Sequence, residues 1–207
     1  VQSGLFTNGG FAITGGAGDT FEVANGARFN LSGTSAMATV FTKSFGATST
    51  VNYQGGVQNV SVETYGHLIL DGGSTKTPLG GTHTVAGNFT LGAGTIYAGN
   101  TNNPLVNLAG NFSNSGTFNS GTGQFTFSGT AAQGITGVTT FTNLAVSNTA
   151  AVVTANNALT VAGTLTLAAS TTLADGGNTV TVNGDISNAG SHTGTGRILL
   201  SGGAAAH

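Results

Sequence analysis

Cysteine is absent from the 207 residues, so neither disulfides nor thiolate metal sites can staple the chain. Charge is nearly as scarce. Four Lys and Arg with six Asp and Glu make up 5% of the chain, against roughly 25% in an ordinary globular protein. A net charge of −2 leaves no basic stripe for nucleic acid or an acidic membrane surface. So few titratable groups also argue against hydrolase, lyase or transferase chemistry, which needs positioned acids, bases and nucleophiles. The expectation is a non-enzyme without cofactors. No run of 18 apolar residues occurs, so nothing spans a bilayer as a helix. Only two prolines, Pro78 and Pro104, interrupt the chain, both at expected turns.

What is abundant is glycine, at 36 residues, with much Ala, Ser, Thr and Asn. Disorder does not fit, because the chain is 38% hydrophobic with 12 Phe and carries little charge. Starting at Val1 rather than Met fits a processed or trimmed N-terminus, as signal-peptide removal leaves. An uncharged, Thr/Asn/Gly-rich chain of this kind suits a secreted or cell-surface structural protein.

Internal repeats dominate the organisation. Leu108–Gly116 (LAGNFSNSG) returns as Val182–Gly190 (VNGDISNAG), at an offset of 74. Tyr65–Gly73 and His83–Leu91 return as Phe141–Thr149 and Leu159–Leu167, both at an offset of 76. Gly121–Ala132 (GTGQFTFSGTAA) returns as Gly194–Ala205 (GTGRILLSGGAA). A shorter motif, apolar–Ala/Asn–Gly–polar–apolar, centres on Gly87, Gly110, Gly163 and Gly184 at intervals of 23, 53 and 21. Taking 53 as two coils makes each long unit three coils, and the whole chain about eight. Val1–Gly26 fits over Val85–Gly110 without gaps. The next anchor, Phe45 over Phe118, then requires an insertion of about eleven residues within Leu31–Phe41.

Alternating β-branched runs such as Gln124–Phe127, Thr164–Leu167 and Thr179–Val182, punctuated by Gly, Asn and Asp-Gly, indicate short strands throughout. A β-sandwich gives every strand its own environment and has no reason to repeat. A solenoid places like environments at like positions, so its sequence recurs. The expected fold is therefore all-β: one parallel β-solenoid domain over 1–207 with a three-coil super-repeat of 74–76 residues. Its repeats are clearest over 60–133 and 134–207, and residues 1–59 carry the loop insertion near 31–41. Leu5, Phe89, Phe112, Leu165 and Ile186 should form an inward apolar ladder. Asn88 and Asn111 should bond along the axis, and the glycines should relieve corners of positive φ.

Gly110–Thr130 (GNFSNSGTFNSGTGQFTFSGT), with FTNLAVSN, LTVAGTLTL and GNTVTVNG after it, resembles the repeats of large secreted β-solenoid surface proteins. These are of the adhesin or autotransporter-passenger kind, especially those of Bacteroidota-type bacteria. The resemblance implies an extracellular, surface or matrix role.

Individual side chains point to no reaction. Asp19, Glu22, Glu63, Asp71, Asp175 and Asp185 are scattered, and two of them stand in DGG turn sequences. His67, His83, His192 and His207 lack paired spacing for a metal and are expected at the surface or in turns. Tyr53, Tyr65 and Tyr97 could form a sugar platform but occupy slots filled by apolar residues in neighbouring copies, which favours core packing. The Thr-x-Thr runs at 140–142, 164–166 and 179–181 could order water as ice-binding solenoids do. Thr164 and Thr179 are well short of one coil apart, too close in sequence to stack.

The function that fits best is a structural subunit of an extracellular filament, polymerising head to tail with copies of itself. The alternatives are a fragment of an adhesin stalk and, behind it, an ice-binding or carbohydrate-binding solenoid. Coil-type sequence runs from one end to the other, so the candidate interface residues are Leu5, Phe6, Phe11 and Ile13 at one end and Ile198, Leu199 and Leu200 at the other.

Overall fold

A computed structural model describes residues 1–34, 37 and 41–202. The strands are two to five residues long, every paired strand runs parallel to its neighbour, and the only helical element among the described residues is the 3₁₀ turn Gly99–Thr101. They stack as a β-solenoid of about nine turns, three strands to a turn. The first face is one unbroken sheet of ten strands, from Leu5–Thr7 to Ser191–Thr193. The second face is two four-stranded sheets, Gln58–Val60 to Thr117–Asn119 and Thr139–Phe141 to Arg197–Leu200. The third holds the pair Thr20–Val23 and Thr42–Phe45, then seven strands from Thr64–Tyr65 to Ile186–Asn188.

Alternation dictates the cross-section. In Gln124–Phe127, Phe125 and Phe127 are buried and the residues between face outward. Stacking repeats this parity from turn to turn. On the first face Phe6, Phe29, Val51, Leu68, Phe89, Phe112 and Ile135 lie in register, one above the next. On the third, His83, Val106, Phe125, Leu144, Leu165 and Ile186 do the same. The expected single ladder is thus two ladders on two faces, and Leu5 belongs to neither. Leu5 sits opposite Arg28 and points outward, whereas Phe6 stacks on Phe29. A one-residue slip in the ungapped N-terminal alignment is enough to reverse facing, because side chains alternate with a period of two.

Some turns are also shorter than the expected coils. Thr50 pairs with His67 and Gln133 with Val153, steps of only 17 and 20 along the chain, whereas Phe89 pairs with Phe112 at the expected 23. The interval from Gly110 to Gly163 holds eight strands, two and two-thirds turns, not two coils. The 74–76 residue repeat spans eleven strands, three and two-thirds turns, so its copies fall on different faces: Phe112 on the first, Ile186 on the third. The repeat marks a kind of corner, not a place around the turn.

That corner is crowded. Gly87 and Gly110 lead from the third face to the first, Gly163 and Gly184 from the second to the third. A Cβ on Gly110 would collide with the carbonyl oxygen of Gly87, and one on Gly184 with that of Gly163. None of the four has positive φ, so close backbone approach, not left-handed conformation, demands glycine here. Beside them, Asn amides run along the axis: the Asn111 N–H donates to Asn88 Oδ1 at 2.9 Å, and the Gly134 N–H to Asn111 Oδ1 at 2.7 Å. The expected axial bonding exists, through side chain to backbone.

The interior changes character along the axis. Near the short turn at 50–67, Tyr53 and Tyr65 are fully buried, their hydroxyls 3.0 Å apart, and Tyr65 donates to the Ser61 carbonyl at 2.6 Å. Next comes an aromatic stretch of Phe89, Tyr97, Phe112, Phe118, Phe125, Phe127 and Phe141, in which the Phe112 ring packs against Phe89, Phe118, Phe125 and Phe141. Beyond it the core is aliphatic, from Leu144 to Val182. Phe112→Ala should leave a cavity in the aromatic stretch and cost about 3–5 kcal/mol. Ser187→Ala, on the outer surface, should cost within about 0.5 kcal/mol. Denaturant unfolding followed by circular dichroism checks both, and equal losses would show inward and outward faces to be misassigned.

Candidate assembly surfaces at the two ends

At the N-terminal end, the strand Leu5–Thr7 pairs with Arg28–Leu31 on one side and with no described strand on the other. Phe6 is 40% exposed, its ring 5.7 Å from Phe29, so the first-face apolar column ends uncovered. Leu5 points outward beside it. Phe11, a candidate interface residue, is 78% exposed and lies outside any strand, just after a turn. Ile13 forms an isolated parallel bridge to Met37 among the described residues. Part of the expected insertion at 31–41 lies outside the described residues.

At the other end, Arg197–Leu200 is the last strand of the second face and Ser191–Thr193 of the first. Ile198 sits over Val180 and Leu200 over Val182, so both continue inward columns; Leu200 is 48% exposed. Leu199 lies over Thr181 and faces outward. The expected set therefore divides. Phe6, Ile198 and Leu200 terminate the core, Leu5, Phe11 and Leu199 line the rim, and Ile13 packs partly against the core.

The C-terminal end contains a pair that sequence reasoning missed. Asp175, expected at a turn surface, is fully buried at inward parity on the first face, two positions past the buried Leu173. Its Oδ1 accepts N–H bonds from Gly177 at 2.7 Å and Gly196 at 2.9 Å. Its Oδ2 lies 2.9 Å from His192 Nε2, and His192 occupies the position above Leu173. Burial pushes the carboxyl up, but the Gly196 and Gly177 N–H groups and then His192 outweigh it and hold Asp175 below the ordinary carboxylate range.

The other titratable groups inside lie on earlier turns than Asp175. Lys76 is fully buried between Gln58 and Tyr97, its Nζ donating to the Gly55 and Gly56 carbonyls, and burial holds its pKa down despite Asp71. Lys43 pairs with Glu63 at 2.8 Å. His83, expected at a surface, is buried with Nε2 2.8 Å from the Leu79 carbonyl, and burial lowers its pKa. His67 Nδ1 accepts the Asn88 N–H at 2.9 Å, and His207 lies outside the described residues. Among the described residues no three His, Asp or Glu gather as metal ligands. Tyr53, Tyr65 and Tyr97 are core residues, which leaves no tyrosine platform. Thr164–Thr166 and Thr179–Thr181 lie on different faces. Thr140, Thr160 and Thr181 do stack in one outward column, which ends at Leu199.

Comparison with known protein families, curated proteins and solved structures yields no match to this chain.

Asp175 sets a pH dependence. Its folded-state pKa is depressed, so its contribution to stability is present above the ordinary carboxylate value and lost as pH falls through the folded one. Thermal melts between neutral pH and about pH 3 should show the last turns of wild type loosening with acid. Asp175→Asn should be less stable at neutral pH and lose much of that slope. Identical slopes would mean the carboxylate is not what fastens the end.

Proposed function

We propose that the chain is a structural subunit outside the cell that stacks head to tail on copies of itself. The observation that carries this reading is the pair of ends. Each leaves a strand edge of the first face unpaired among the described residues, beside an uncovered apolar column. Among the described residues, five of the eleven exposed large hydrophobics (Leu5, Phe6, Phe11, Leu199 and Leu200) lie there, while the others are scattered along the sides. Because both ends share one three-sided cross-section, a further turn can add in parallel to either, as β-augmentation between identical chains. Such a contact is heterologous and does not close, so it extends into a filament. The near absence of charge supports it, since ten charged residues create little end-to-end repulsion. An extracellular setting follows from the same composition and from the resemblance to secreted solenoid repeats.

Negative-stain microscopy and light scattering of the purified chain test this. Wild type should form filaments whose yield changes little with salt. Deleting residues 197–207 removes the strand Arg197–Leu200, and because solenoid contacts are nearest-neighbour the remaining turns should stay folded by circular dichroism. Filaments should then disappear, as they should with Phe6→Arg. A wild type that remains monomeric above about 100 µM, or a folded truncation that still polymerises, would overturn the reading. In the monomeric case a stalk segment, with its ends occupied by further turns of one chain, would replace it.

A further inference from the structure

The second face is interrupted. Thr117–Asn119 pairs back to Thr95–Ala98, and Thr139–Phe141 pairs on to Leu159–Val161, but the two do not pair with each other although they are neighbours. Two strand edges therefore face one another across a cleft of about 480 Å³. Side chains bridge it on one flank: Ser120 Oγ accepts the Thr142 N–H at 2.9 Å and lies 3.1 Å from Thr142 Oγ1.

Phe118 forms the floor. Its ring packs 4.8 Å from Tyr97, 5.1 Å from Phe112 and 5.3 Å from Phe141. Tyr97, Phe112, Phe125 and Phe141 are each at most 3% exposed, whereas Phe118 is half-buried, opened to the outside by the break in pairing. The rim is Asn100, Asn119, Ser120, Thr122, Thr140 and Thr142, with no charged residue among the lining. The Asn100, Asn119, Thr122 and Thr140 side chains make no hydrogen bond to the protein among the described residues.

We propose that this cleft binds a neutral glycan, one sugar ring lying on Phe118 and its hydroxyls meeting the amides and hydroxyls of the rim. An amide offers a donor pair and an acceptor, and a hydroxyl offers both, which matches the alternating donors and acceptors of a sugar. An aromatic floor with a few convergent polar groups is the common make-up of a small-molecule site. The uncharged lining provides no counter-ion, so an anionic ligand would be desolvated without compensation. The tyrosines that the sequence offers as a sugar platform are buried; the aromatic that lines this cleft is a phenylalanine. The site lies on the side of the solenoid, mid-way along, and is independent of how the ends are occupied.

Titration calorimetry with cellohexaose, maltohexaose, xylohexaose and mannohexaose tests the site, with hexagalacturonate as the charged comparison. At least one neutral oligomer should bind with a dissociation constant below about 10 mM, and hexagalacturonate should bind at least about tenfold more weakly. Asn119→Ala with Thr140→Ala, and separately Thr140→Trp to fill the cleft, should each weaken binding about tenfold or more while leaving the thermal midpoint in place. Thr160→Ala, one turn further along the same outward column, should leave binding intact. No binding of any of the four neutral oligomers in that range would overturn the proposal. So would tight hexagalacturonate binding, or neutral binding that both rim variants leave unchanged.

Discussion

Each turn of this molecule is held to the next by backbone hydrogen bonds that run along the axis, and every other feature is subordinate to that spacing. Strands about 4.8 Å apart force each side chain onto the one in the same position of the turn below. An inward position then has two neighbours of its own kind and must be apolar or internally satisfied. That explains why Phe112 sits between Phe89 and Ile135. It also explains how three polar side chains enter the core: Tyr53 with Ser61 and Tyr65, Lys76 with two carbonyls, Asp175 with two N–H groups and His192.

The same spacing sets the corners. Where the chain bends between faces, successive turns bring main chain against main chain, and only glycine leaves room. Alongside, an asparagine side chain on one turn receives an N–H from the next, as at Asn88 and Asn111, so the corner keeps its axial bonding where the strand ladder lapses. The scarcity of charge belongs to this design. A charged residue repeated at one position would stack on itself, and like charges at strand spacing repel. Neutral Thr, Asn and Ser carry the outer columns without that cost.

Strand identity and parallel stacking were both legible, because alternation and recurrence follow directly from the axial constraint. Facing was legible wherever two apolar residues flank a polar one, as in Gln124–Phe127. It failed at Leu5 and Phe6, where two apolar residues adjoin and only the register with Arg28 and Phe29 decides. The number of strands per turn was not legible. The Gly motif reports a crowded bend, and this solenoid uses the same bend at two of its three corners. Asp175 could not be separated from Asp71 by sequence, since both stand before two glycines; what differs is that Gly196, a turn away, presents an N–H to one of them. Lys76 did leave a trace, at inward parity within Ser74–Pro78.

Three strands to a turn and eleven strands to a repeat share no common factor. A copy of the long unit added in register therefore begins two-thirds of a turn around from the last, and only after three copies does the pattern return to its starting face. Whatever one copy displays on its outer surface, the next displays in a different direction. Growth of such an array by duplication would wind its surface features around the axis rather than line them along one side. A long solenoid of these repeats would then meet its surroundings equally from every side.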